Sequence, residues 1–299
     1  MMETIRAQQL FCCVLGCIFA CNVLEAVQDR RPSLPYVSGD GFRFCSDFIW
    51  DETGKFNPAN VKKPSVIFVK TDLLGDFFTN CHPHLKYPYV LISHNSDYGA
   101  PGDYVRYLDD PKLKHWFGQN PTIREHPKFT AIPIGIMNKY CNPWPDLQPL
   151  ITLQKKLNSI IKKHFIYVNF SVGTCYKLRQ SAYEFFSKNP RTFIFKLGRK
   201  WPEYLNDLAS SEFVVSPPGN GLDCHRTWEA LLVGAVPVMV DTNLTPLLRD
   251  LPVVIVPTWD VCTNDFLTEE LQKIRQKNYN LEKLYMSFWE KRIRAALYV

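Results

Sequence analysis

The 299-residue chain has no CxxC pair, no Asp-x-Asp motif behind an apolar run and no Gly-x-Gly-x-x-Gly after its first apolar run. The first absence argues against a cysteine zinc site. The second leaves no carboxylate pair in a strand-end loop to hold a metal; Asp109-Asp110 precedes Pro111 and reads as a helix-end turn. The third removes the dinucleotide fingerprint. There is no internal repeat and no Lys/Arg block interleaved with aromatics, so nucleic acid is not an expected partner. The net charge of +6 is mild and suits a small anionic substrate.

What is present is globular. Hydrophobic residues make up 46% and charged residues 21%, enough for one large domain or two ordinary ones with a sizeable core. Aromatics reach 14%, and the 22 prolines fall mostly between apolar runs rather than in a low-complexity tract.

Residues 1–26 stand apart. Arg6 precedes an apolar run from Leu10 to Cys21, which Asn22 and Glu25 end. Twelve apolar residues suit the core of a signal peptide, with Ala26 before the cut and Val27 starting the mature chain. The alternative is membrane anchoring through residues 10–26. Either reading places the protein in the secretory-pathway lumen, ER or Golgi, or outside the cell. Ten cysteines agree: four lie in the leader, and Cys45, Cys81, Cys141, Cys175, Cys224 and Cys262 permit disulfides of undetermined pairing. Sequons occur at Asn169 and Asn243; Asn169 closes a buried strand, which argues against its use.

Residues 27–62 read as a polar stem. Residues 63–146 carry apolar strands at Ser65–Lys70, Tyr87–Asn95 and Lys128–Ile136, with a short helix at "DYVRYLDD". Leu150, Leu153, Leu157, Ile160 and Ile161 are spaced for one amphipathic linker helix over 147–164. Residues 165–299 alternate "FIYVNF", "TFIFKL", "EFVVS", "AVPVMV" and "PVVIV" with helices, and two longer helical stretches end the chain. This alternation implies βαβ units and parallel sheets. The expected fold is α/β: two Rossmann-like domains facing a cleft, with C-terminal helices.

Ligands of such sheets bind beyond the carboxyl ends of the strands. "SPPGNGLDCHRTWEALLVGAVPVMV", Ser216 to Val240, has that placement. Gly219, Asn220 and Gly221 form a loop that lets backbone approach a ligand. Asp223 is placed to cap the next helix. The helix start, with His225, offers free N–H groups to a phosphate. Arg226 opposes the dipole there but is well placed for an anion. Glu229, on the same face, suits a pair of ribose hydroxyls. The plainer alternative is an Arg226–Glu229 ion pair on a surface helix. A second cluster, "ISHNSD", offers Asp97 and His94 as candidate bases from the first half; its alternative is an Asx turn.

The Ser216–Val240 stretch resembles the donor-binding motif of exostosin-like (GT47-type) glycosyltransferases of the GT-B fold. Its Gly219, Arg226, Glu229, Ala230, Gly234 and Pro237 carry the resemblance. The resemblance implies sugar transfer from a nucleotide-sugar donor, a co-substrate rather than a cofactor, to a glycan or glycoprotein acceptor. The GT-B resemblance implies no metal, because arginines and helix dipoles take the departing diphosphate. Ser171, Thr174 and Arg179, in and after the loop "SVGT", would hold the diphosphate with Arg226. "FKLGRKW", Phe195 to Trp201, would contact the base. The rival expectations are a non-catalytic secreted protein of the same fold that binds glycans or nucleotides, and a two-domain solute-binding protein.

Overall fold

A computed structural model describes residues 30–141, 146–195 and 198–298. The leader, residues 1–26, and Lys196 and Leu197 of the "FKLGRKW" stretch lie outside them. The chain is mixed α/β, with two parallel-rich sheets that follow one another in sequence.

The first sheet has six strands: β1 (Phe48–Asp51), β2 (Gly54–Lys55), β3 (Ser65–Lys70), β4 (Tyr89–His94), β5 (Leu113–Gly118) and β6 (Phe129–Ala131). Their spatial order is β2-β1-β3-β4-β5-β6, and only the β1–β2 hairpin is antiparallel. Helix α1 (Gly39–Phe44) packs Phe42, fully buried, into the core, and α2 (Leu74–Asn80) follows β3. Residues 30–62 are therefore part of this sheet and its cover, not a stem. The segment hides its structure because β1 is only four residues, "FIWD", beside a run of polar turn residues. Lys128–Ile136, expected as one strand, forms a ladder only at Phe129–Ala131; Pro133 and Gly135 (φ +68°) divert the rest.

The expected helix over 147–164 is also corrected. Helix α3 covers Gln148–Gln154, a 3-10 turn covers Leu157–Ser159, and the next strand, β7, covers His164–Val168. Two tertiary contacts outweigh the helical spacing. Lys162 Nζ donates to Ser211 O at 2.9 Å and Gly234 O at 2.7 Å, which holds the segment extended against the second sheet. Ile161, spaced for the buried face, is 76% exposed.

The second sheet comprises β7 (His164–Val168), β8 (Thr192–Ile194), β9 (Ser211–Val215), β10 (Val236–Val240) and β11 (Val254–Val256). All pairs are parallel, in the order β11-β10-β9-β7-β8. Helices α4 (Tyr176–Phe186), α5 (Trp201–Ala209), α6 (His225–Leu232), α7 (Thr245–Leu248) and α8 (Asn264–Arg275) connect or follow the strands. The order turns back at β7: β8 lies on one side and β9 on the other. The crevice beyond the carboxyl ends of β7 and β9 is thus a topological switch point, where such sheets bind ligands.

Helix α9 (Met286–Ala295) returns to the first half. Arg294 grips Asp47 at 2.7 Å and donates to Cys45 O, and Trp289 meets Phe42 edge-on. One apolar cluster spans Val66, Phe68 and Ile92 of the first sheet and Val214, Trp228 and Leu231 of the second half. The six cysteines outside the leader are free thiols, with Cys45, Cys81 and Cys262 buried. Among the described residues no helix is long and apolar enough to cross a membrane.

Candidate functional site

A cavity of about 480 Å³ opens at the switch point. Asp97, Ile134 and Met137 line it from the first half; Asn169, Thr174, Arg179, Arg199 (paired with Asp207), Trp201, Tyr204 and residues of the 219–229 segment line it from the second. Of the candidate residues, Asp97, Thr174, Arg179, Gly219, Asn220, Gly221, His225, Arg226 and Glu229 meet here, while His94 and Ser171 do not line it.

Arg226 spans the switch point. Its Nε donates to Asn169 O, just past β7, at 3.1 Å, and Nη1 reaches Ser216 Oγ, just past β9, at 3.4 Å. Arg179 is buried beside it. Its guanidinium donates to Pro218 O at 2.8 Å, to Ser171 O at 2.9 Å and to Cys224 Sγ at 3.7 Å. Both guanidinium carbons stand over the Phe170 ring, at 5.7 Å for Arg179 and 5.3 Å for Arg226. Burial, and then the charge of Arg226, lower the pKa of Arg179. Buried charges are normally paired, yet the hydrogen-bond acceptors of both arginines are neutral. Two mutually repelling cations held by neutral groups at a switch point leave positive charge that an anion would neutralise.

Glu229 does not spend its charge on Arg226. It is 5% exposed, and its Oε1 accepts from Trp201 Nε1 at 2.9 Å. Tyr204 is half-buried nearby; burial first, and then Glu229, raise its pKa. Trp201, the last residue of the "FKLGRKW" stretch, and Tyr204, which the sequence does not single out, both lie on α5. Their signal was the aromatic pair three residues apart behind a strand.

His94 is 1% exposed, and Nε2 meets Pro133 O at 3.1 Å while Asn95 N donates to Nδ1 at 2.7 Å. Burial pushes its pKa down to about 4. It buttresses the loop rather than facing the cavity. All six residues of β4 are buried, so its last side chain points into the core. Asp97 lies past the strand end, is exposed, and its Oδ2 accepts from Asn220 Nδ2 at 3.3 Å.

Asp223 is not the cap of α6; Cys224 takes that position and its side chain makes no capping bond. Asp223 is instead a buried bridge between the halves. Its carboxylate accepts from Ile134 N at 2.8 Å, Cys224 N at 2.8 Å and Trp228 Nε1 at 2.8 Å. Its own N–H donates to Asn120 Oδ1 at 2.9 Å. His225 Nδ1 lies 2.7 Å from Gly135 O, also in the first half.

The loop glycines have a steric reason. A Cβ on Gly221 would lie 2.6 Å from Asn120 Nδ2, and one on Gly219 2.9 Å from Arg179 Nη2. Gly221→Ala must displace a buried, bonded amide. A loss of about 1–3 kcal/mol is expected, the usual cost of overpacking, read as a lowered urea midpoint. An unchanged midpoint would mean that the loop shifts freely.

The Asn169 amide donates to Tyr167 Oη at 2.7 Å and its carbonyl serves Arg226, so this sequon sits inside the cavity wall. Protein-family models give no match to the sequence, and no curated protein matches it.

Proposed function

We propose that the protein is a lumenal or secreted glycosyltransferase of the exostosin-like type, with a GT-B arrangement, acting on a nucleotide-sugar donor and a glycan or glycoprotein acceptor. The observation that carries this reading is the arginine pair: Arg179 and Arg226 at the switch point, with neutral acceptors only. A diphosphate supplies the two negative charges that this pair lacks.

The other wall residues fit the same ligand. The Gly219–Gly221 backbone and the start of α6 flank the anion position. Glu229, oriented by Trp201, accepts from ribose hydroxyls. Asp97 faces the cavity from the opposite half, and Asn220 orients it. It takes the proton of the acceptor hydroxyl as that oxygen attacks the anomeric carbon, giving inversion. The bond to the diphosphate breaks on the opposite side, and the leaving charge falls on Arg179 and Arg226. The proposed chemistry draws on no metal.

Calorimetry with UDP, GDP and CMP tests the reading. UDP or GDP is expected to bind more tightly than CMP, the monophosphate comparison, and excess EDTA is expected to leave both binding and transfer intact. Failure of all three nucleotides sinks the donor-site assignment. Binding without sugar turnover on any acceptor favours a non-catalytic nucleotide-binding protein. Loss of transfer in EDTA that manganese restores overturns the metal-independent mechanism.

A further inference from the structure

We propose that Asn120 is a positioning residue that ties the Gly219–Asp223 loop to the loop carrying Asp97, so that a ligand held by the first sets the second. The inference rests on the nucleotide reading of the cavity, but concerns a residue outside its wall.

Asn120 follows β5 within "GQNP" and is 3% exposed. Its φ of +51° is left-handed, a conformation that Asn tolerates better than most side chains. Its amide is used at both ends. Oδ1 accepts from Asp223 N at 2.9 Å, while Nδ2 donates to Ser96 O at 3.1 Å and Asp97 O at 3.3 Å. The neighbours fix the amide orientation, since one side presents a donor and the other two acceptors. The backbone joins the same loop: Ala100 N donates to Asn120 O at 3.1 Å.

The contact is close on the far side as well. Gly221 lies against the amide with no room for a Cβ. Asn220, next in the loop, bonds the Asp97 carboxylate itself. One buried amide therefore links backbone from two sheets, residues 96–97 and 223. A shift of the glycine loop on binding phosphate must pull on Asp223 N–H, and through Asn120 on the carbonyls either side of the Asp97 side chain.

Two variants separate the hydrogen bonds from the backbone conformation. Asn120→Gly keeps the left-handed backbone and removes the amide. Asn120→Asp keeps the shape and turns an oxygen toward Ser96 O and Asp97 O. Hydrogen exchange is followed on peptides covering 95–100 and 216–224, with and without UDP or GDP, beside nucleotide affinity and melting temperature. In the wild type, nucleotide should slow exchange in both segments. In either variant it should slow only 216–224, with affinity reduced about 2- to 12-fold, the worth of one net hydrogen bond. Protection of 95–100 that persists in both variants overturns the proposal.

The measurement without nucleotide decides the tie independently. Asn120→Gly should speed exchange in both segments together, and acceleration confined to 95–100 also overturns it. If no nucleotide protects 216–224 in the wild type, the donor-site reading fails and the proposed ligand coupling fails with it, while the ligand-free comparison still reports the physical tie. If neither Asn120 variant folds, Gly221→Ala, which crowds the same amide, takes their place in both comparisons.

Discussion

Arg226→Ala is expected to weaken nucleoside-diphosphate binding by about 10- to 150-fold, the loss of one charge-assisted hydrogen bond worth roughly 1.5–3 kcal/mol. Stability should barely change. Arg226 is half-buried; its partners are the carbonyl of Asn169, at the cavity wall, and the Ser216 hydroxyl, which keeps Thr227 Oγ1 at 2.9 Å. Removing it also relieves repulsion on Arg179. Arg179→Ala is the contrasting case: Arg179 is 6% exposed, and its loss strips partners from Pro218 O and Ser171 O, so binding and melting temperature fall together. Glu229→Gln keeps an oxygen for Trp201 Nε1 but weakens it as an acceptor, so nucleotide affinity falls with little change in melting temperature. Isothermal titration beside thermal melts separates these outcomes. Arg226→Ala protein that melts early yet binds nucleotide normally would make the arginine a structural brace and remove it from the site.

The second sheet was legible because its strands are short apolar runs bounded by turns. "EFVV" and "VPVMV" each follow a helix directly, and the loop past β9 carries its glycines and Arg226 in plain sequence. The first sheet was harder. Strand β5, "LKHWFG", mixes Lys114 and His115 with Trp116 and Phe117, so it shows neither a continuous apolar run nor a clean alternation. Its His115 ring bonds Thr130 on β6. Strand β1 offers only four residues, and its pairing with β3 leaves no local trace. The site divides the same way. Residues supplied by one contiguous segment, Gly219 to Glu229, were readable. Asn120 meets Asp223 across 103 residues and Trp201 meets Glu229 across 28, and spacing cannot announce either pairing. The sequence favours Asp97 over His94 as the base only through the availability of a carboxylate at mildly acidic pH, since both follow "VLIS". The burial of β4 to its last residue separates them, and burial is a property of the packed sheet.

Asp223 is where stability and pH meet. Its carboxylate holds Ile134 N, Cys224 N and Trp228 Nε1 together across the seam of the halves. Asp223→Ala leaves these three donors without a partner; at about 1–3 kcal/mol for each unpaired buried donor, a loss of about 3 kcal/mol or more is expected. Asp223→Asn isolates the charge. Burial raises the Asp223 carboxyl from 3.8 to about 7, against the pull of the Ile134, Trp228 and Cys224 N–H groups. The unfolded chain gives up this proton near the ordinary value, and the folded chain holds it until about pH 7. Between those limits the folded state binds more protons, so this contribution to stability is complete below the unfolded value and is lost as pH rises through the folded one. The slope is at most about 1.4 kcal/mol per pH unit. An asparagine carries no such proton. Across pH 4 to pH 8 the urea midpoint of the wild type should therefore fall relative to that of Asp223→Asn, because every other titrating group is common to both and cancels in the difference. A gap that stays constant across that range would show that the three N–H donors outweigh burial and keep Asp223 ionised throughout.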